Sequence, residues 1–279
     1  MKKSLKVILI IFIIGIILLG IGVAIRGVSP FSMYFKDGKL IVEDGEEPQI
    51  TLDKTELDEF TNLDIHVSVG DINIIPSDTY AIEYALNTSN VTYEVKDGTL
   101  TFDTESENKA IENFSFSSNN YLNIYVPSDS KLAKASIRGN VGDINIDSLT
   151  FDSLELISNV GDITLTKCTV NNTSNIVVNT GDCKLTNCNF TSAEIESDTG
   201  DVNSTGLNIT SKINVTSSIG DVEIGLASGN YNIDLSTDCG DIKVNGKDVD
   251  DGVSQSFKEN NGNIIITISS DTGDIELVY

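Results

Sequence analysis

After about residue 50, apolar and polar residues alternate along most of the chain, and Gly-Asp interrupts the alternation at regular intervals. The pair stands at 70/71, 142/143, 161/162, 181/182, 200/201, 220/221, 240/241 and 273/274, with steps of 19, 20, 19, 20 and 20 between 142 and 240. Five residues before each Gly the position is apolar: Ile65, Ile137, Leu156, Ile176, Ile195, Val215, Leu235 and Ile268. Two residues after it come Ile72, Ile144, Ile163, Cys183, Val202, Val222, Ile242 and Ile275. A period of two on both sides of a Gly turn predicts strand, turn, strand in each copy. A further apolar patch seven and nine residues after the Gly (Leu149 and Phe151, Cys168 and Val170, Cys188 and Phe190, Leu207 and Ile209) predicts a third short strand. Three such strands in about 20 residues are too short for a sandwich and fit one coil of a solenoid. The expected fold is all-β, a single-chain parallel β-solenoid (β-helix). At about 4.8 Å per strand, the copies between 135 and 245 would form a rod about 30 Å long.

The flanks of the repeat read differently. Residues 7–25 are uncharged and apolar and follow Lys2, Lys3 and Lys6, so one transmembrane helix is expected over 1–26, long enough at about 1.5 Å per residue to cross a bilayer. A cleaved signal peptide is the competing reading, although Gly22-x-Ala24 is a poor cleavage site and the apolar run exceeds the usual h-region. The flanking charge favours a cytoplasmic N-terminus, which places the remainder outside a cell membrane crossed once. Residues 27–50, with Asp44-Gly45-Glu46-Glu47-Pro48, read as a linker. Residues 51–134 read as a more aromatic β section that caps the solenoid, with strands at 80–87, 91–96, 99–104 and 121–126 and a hairpin turn at Lys96-Asp97-Gly98. The solenoid itself is expected over 135–279. An insertion at 245–263 precedes the last strand pair, and the chain stops at Tyr279 directly after a strand, which predicts a thin C-terminal cap and self-association.

Charge narrows the chemistry. The chain of 279 residues has 18 Lys+Arg and 42 Asp+Glu. Four of the bases precede position 27, so residues 27–279 carry 14 − 42 = −28. No nucleic-acid partner is expected of such a surface, whereas cationic peptides and divalent ions are. His66 is the only histidine and is expected to point outward, which leaves little for His-based metal or triad chemistry. Cys168 and Cys188 share one position in adjacent coils, open either to a buried thiol ladder or to a disulfide.

The turn carries the remaining candidates. Short polar residues stand two before the Gly (Ser68, Asn140, Asn159, Asn179, Asp198, Ser218, Asp238, Asp271), and Asp follows it in every copy. Asp143, Asp162, Asp182, Asp201, Asp221 and Asp241 have two readings. They accept backbone N–H bonds in the turn, or their stacked carboxylates hold Ca²⁺, the one cofactor the sequence suggests. A third use, a carboxylate pair such as Asp162 and Asp182 in a polysaccharide-active enzyme, requires one coil to differ from its neighbours, and none does.

Leu122-x-Ile124-x-Val126-Pro127, followed by Ile137, Gly142-Asp143-Ile144-x-Ile146 and the further Gly-Asp-Ile/Val copies, resembles the bacterial candidate-adhesin family DUF4097 over residues 50–279. The resemblance implies an extracytoplasmic, often membrane-anchored Gly-Asp-repeat solenoid, linked in some members to cell-envelope stress, and it supplies no catalytic residue. The function expected is a non-enzymatic surface module binding an envelope component or a protein. The alternatives are a carbohydrate-active enzyme and a Ca²⁺-binding structural rod.

Overall fold

The computed structural model describes residues 31–36, 39–44, 50–88, 90–104, 114–115, 120–249 and 254–279. The apolar run at 7–25 lies outside them, and no helix among the described residues is long and apolar enough to cross a membrane. Two units are present. The smaller contains Phe31–Lys36 paired antiparallel with Lys39–Asp44, and Phe114–Ser115 on the other edge of Phe31–Lys36. Part of the stretch expected to be a linker is therefore a β-hairpin. Its signal was an Asp37-Gly38 pair between two alternating runs.

The larger unit is a stack of coils, each named here by its Gly. An entry strand leads into each Gly-Asp and an exit strand leaves it. Entry strands pair in parallel in one sheet and exit strands in a second, with Ile137 beside Ile65 and Leu156, and Ile144 beside Ile72 and Ile163. The residues five before and two after each Gly face inward and are buried, so each coil covers its neighbours with aliphatic ladders.

Each coil has two strands where three were expected. The third patch forms the start of the next entry strand, as in Thr150–Val160 and Thr169–Thr180, after a register irregularity. Inward positions fall at Phe151 then Leu154, Val170 then Ser174, Phe190 then Ala193, and Ile209 then Ile213. The spacing across this bend is three residues in the 19-residue coils and four in the 20-residue coils, so the alternating period is absorbed at one corner.

The order of coils in space departs from the order in sequence. From one end it runs Gly70, Gly142, Gly161, Gly181, Gly200, Gly220, Gly273, Gly240. Ile264–Thr272 pairs with Val202–Ile219 on one side and with Tyr231–Cys239 on the other. Ile275–Val278 likewise lies between Val222–Leu226 and Ile242–Val244. The strand before the chain's last residue is thus internal, and the Gly240 coil is the outermost. Its outer edge is covered by Gln255–Asn260, antiparallel to Tyr231–Cys239, and by Lys247–Asp248. Asn261, Gly262 and Asn263 carry the chain around the start of that strand from its outer to its inner edge. A Cβ on Gly262 would stand 1.9 Å from the Asn230 carbonyl oxygen. The expectation of a thin cap at Tyr279 is corrected: the insertion at 245–263 supplies the cap.

At the opposite end further strands lie beyond the Gly70 coil. Asn62–Val69 pairs with Thr99–Asp103, itself covered by Thr92–Lys96, while Asp71–Ser77 is followed by Tyr121–Pro127, Ala81–Leu86 and Ile50–Glu56. Antiparallel strands close both sheets there, and rings replace the aliphatic ladders, with Tyr84 edge-on to Phe102 at 5.5 Å between centroids.

Candidate functional site

At the Gly-Asp turn the Asp N–H is taken by a carboxylate in every coil after the first, and the Gly carbonyl is taken by a hydroxyl in the Gly161, Gly200, Gly220 and Gly273 coils. The Asp N–H donates to Oδ1 of the preceding coil's Asp: Asp143 to Asp71 at 3.0 Å, Asp162 to Asp143 and Asp182 to Asp162 at 2.8 Å, Asp201 to Asp182 at 2.8 Å and Asp221 to Asp201 at 2.9 Å. The ladder continues in the spatial order, Asp274 to Asp221 and Asp241 to Asp274, both at 2.8 Å. The Gly carbonyl accepts from the hydroxyl three residues earlier, Ser158 to Gly161 at 2.9 Å and Ser197 to Gly200 at 3.1 Å. These serines lie inside the stack, a row of buried polar positions that alternation alone would have called apolar.

Both ends of the ladder are closed. Asp71 N–H donates to the Asn120 carbonyl at 2.9 Å. At the outermost coil the Gln255 side chain does what a further coil would have done: its Nε2 donates to Asp241 Oδ1 at 3.2 Å and its Oε1 accepts from the Ile242 N–H at 2.6 Å. One oxygen of each candidate Asp is therefore held by the fold, across coils and not within its own turn. Among the described residues no three His, Cys, Asp or Glu side chains converge as a cation site. Asp162 and Asp182, considered as a catalytic pair, have equivalent partners in the same geometry, the Asp182 and Asp201 N–H groups, each at 2.8 Å. Asparagines two before the Gly form a parallel amide ladder, Asn179 to Asn159 to Asn140, each at 2.9 Å.

Replacing Asp182 separates the two uses of the carboxylate. Asp182→Asn keeps an oxygen for the Asp201 N–H and removes one charge from a column of like charges, so stability should change by no more than about 0.5 kcal/mol. Asp182→Ala leaves that N–H unpaired and should cost about 1–2 kcal/mol in urea unfolding. Equal losses for both, appearing only when Ca²⁺ is present, would instead identify a cation site.

The other singled-out residues are placed as follows. Cys168, Cys183 and Cys188 are buried free thiols and Cys239 is exposed. The Cys168 thiol donates to the Thr166 carbonyl at 3.4 Å, and its hydrogen bond with Cys188 and its burial raise its pKa. Burial pushes the Cys183 thiol up to about 12. His66 alternates with the inward Ile65 and Val67 and so points outward, half-buried, with Nδ1 3.5 Å from Asp103 Oδ1 on the neighbouring strand.

Sequence reasoning missed a polar cluster on the outward face of the exit-strand sheet, at its capped end. Glu83 accepts from the Tyr125 hydroxyl at 2.7 Å, from Asn123 Nδ2 at 3.3 Å and from the Tyr121 hydroxyl at 3.4 Å. The Tyr125 bond, followed by that from Asn123, lowers the Glu83 pKa, while burial and Glu83 push Tyr125 up to about 12. Lys54 Nζ sits 3.7 Å from the centroid of the Tyr125 ring. The partners are about 40 residues apart in sequence and meet because Tyr121–Pro127 inserts between Asp71–Ser77 and Ala81–Leu86. No local pattern announces that pairing.

The model of the Toastrack DUF4097 family matches residues 60–279. Among solved structures, a candidate adhesin from Bacteroides fragilis is 18% identical, with a TM-score of 0.46 over 84% of this chain and 100% of its own. A candidate cell adhesion protein from Clostridium sporogenes is 17% identical (TM-score 0.40, 82% and 99% covered). A candidate lipid binding protein from Parabacteroides distasonis is 14% identical (TM-score 0.31, 84% and 98% covered). The chain matches no curated protein. With Gly-Asp coils stacked from residue 62 to the C-terminus and the family model spanning the same stretch, the chain belongs to the Toastrack DUF4097 family.

Proposed function

We propose that the chain is a non-enzymatic binding module, held at the cell membrane by residues 1–26 with the solenoid on the extracytoplasmic side. The observation that carries this reading is the equivalence of the turn aspartates. Acid–base catalysis on a glycosidic bond needs two carboxylates in unlike environments. Seven of the eight repeated acids share one environment, each bonding the next coil's N–H at 2.8–3.0 Å, and Asp241 of the outermost coil bonds the Gln255 amide in its place. What the fold presents instead is two extended sheet faces with an acidic bias. Such a surface concentrates cations within a Debye length of about 8 Å and repels anionic polymers.

The test uses the full chain in lipid vesicles, titrated with a decalysine peptide. Binding should occur and should weaken steeply with salt. Neutralising the exposed Glu194, Glu196, Asp198 and Glu223 to their amides should reduce it severalfold while melting stays unchanged. Equal binding by that variant would discard the electrostatic part of the proposal.

A further inference from the structure

Glu83 imposes a direction on a row of amides. A carboxylate can only accept, so the Asn123 amide must turn its NH₂ toward Glu83 and present Oδ1 to the next strand. Asn73 Nδ2 donates to that oxygen at 2.9 Å, which turns Asn73 Oδ1 toward Asn145, whose Nδ2 donates to it at 3.1 Å. The chain of donors runs Asn145, Asn73, Asn123, Glu83, across four adjacent strands. It ends at Asn145 Oδ1, which has no hydrogen bond among the described residues. Because Glu83 is held ionised by its tyrosine and amide donors, the polarity of the row is fixed.

That open end lies in a cleft of about 320 Å³ lined by Asn73, Asn123, Asn145, Asp147, Thr164 and Thr166, with Ile75 as its outward apolar contact. The volume falls at the lower end of the range for small-ligand clefts, about 300–1,000 Å³. The lining chemistry selects among ligands. No Lys or Arg lines the cleft, and Asp147 would repel an anion. A metal ion would find one lining carboxylate, since Glu83 is engaged by three donors. Of the three isoleucines beside the cleft, Ile74 and Ile146 are buried and turned inward, so an apolar ligand would find only the side chain of Ile75. The cleft offers amide N–H donors, amide and carboxylate acceptors and two threonine hydroxyls, repeating at the strand spacing of about 4.8 Å, close to the advance of one sugar ring.

We propose that the Asn73–Asn123–Asn145 cleft binds a neutral, polyhydroxylated glycan, whose hydroxyls donate to Asn145 Oδ1 and Asp147 and accept from the free amide hydrogens of the row. This deepens the binding-module reading and rests on it, naming a ligand class and a place on the exit-strand sheet.

The test is calorimetric titration of the full chain in detergent micelles with cellotetraose, with tetra-N-acetylchitotetraose, and with tetragalacturonate as the anionic counterpart. At least one neutral tetraoside should bind saturably and the anionic one should not. Asn145→Ala should weaken binding about tenfold, the loss expected of one hydrogen bond. Glu83→Gln frees the amide row to reverse and should also weaken binding, while Lys184→Ala, on the same face two strands beyond Asn145, should not. Melting curves of each variant separate lost binding from lost fold. No saturable binding of either neutral tetraoside, or equal binding by Asn145→Ala, overturns the proposal. Decalysine binding retained in that case shows the glycan site to be wrong and the broader reading to stand; loss of both overturns both.

Discussion

Gly181→Ala should cost about 4 kcal/mol or more, enough to unfold a marginal domain, because two independent penalties meet at one atom. Gly181 sits at φ +136°, a region in which L side chains are essentially absent. A Cβ built there stands 2.4 Å from the Gly161 carbonyl oxygen, 2.6 Å from its carbon and 2.9 Å from Asp162 Oδ1. The obstructing atoms are mainly backbone of the preceding coil, so the clash can be relieved only by parting the coils. Parting them also breaks the hydrogen bond from the Asp182 N–H to Asp162 Oδ1, at 2.8 Å, and the bond from the Gly161 N–H to the Thr180 carbonyl, at 2.9 Å. Gly246 is the control. It also has positive φ, +71°, but a Cβ there meets nothing within 4 Å, so Gly246→Ala should cost about 1–2 kcal/mol. Urea unfolding followed by circular dichroism compares the two. Similar midpoints would mean that the Gly column is not the close-packed seam of the stack.

The repeat was legible because each coil solves the same problem with the same residues. Alternation around Gly-Asp marks the inward rows at Ile137, Ile144 and their equivalents, and these are fully buried. A recurring short polar residue before a recurring Gly marks the turn. Other features follow from relations that a single copy does not carry. Ser158, Ser197 and Ser217 occupy inward positions and donate to the Gly carbonyl of their own turn, so in those coils a bond to the backbone offsets the break in the hydrophobic pattern, whereas Val67, Gly139 and Val178 keep or leave open the same position elsewhere. The three-strand coil became two because Val170 and Ser174 lie on one continuous strand, which apolar spacing does not reveal once the bend is polar. The Asp ladder was expected within each turn, but the carboxylate reaches the next coil, since stacking puts a vacant N–H there. The Glu83 cluster was invisible because it is assembled by a non-sequential insertion of one strand. The same holds for the last coils: the copies at Gly220, Gly240 and Gly273 satisfy the same pattern, so the pattern cannot rank them in space.

That ranking has an all-or-none consequence for paired cysteines. Thr216, Ser269 and Ser236 are equivalent outward positions of the Gly220, Gly273 and Gly240 coils, and the register aligns Thr216 with Ser269 and Ser269 with Ser236. Adjacent parallel strands lie about 4.8 Å apart, inside the Cα range a disulfide spans, whereas two strand spacings, about 9.6 Å, exceed it. In a Cys239→Ser background, Thr216→Cys with Ser269→Cys should therefore crosslink on mild oxidation, as should Ser236→Cys with Ser269→Cys. Thr216→Cys with Ser236→Cys should not. If the coils followed the chain, the last pair would crosslink and the first would fail, so mass spectrometry of the oxidised variants decides the order. The inserted order also constrains assembly. Val215 and Leu235 both pack against Ile268 through paired strands, so neither has its neighbour until the end of the chain arrives. Stacking can proceed coil by coil as far as Gly220. It then closes only when 264–278 enters between Val202–Ile219 and Tyr231–Cys239, whose other edge is covered by Gln255–Asn260. The C-terminal strands thus act as the wedge that joins the cap to the stack, through contacts between residues 53 apart in sequence that wait for the last strands of the chain.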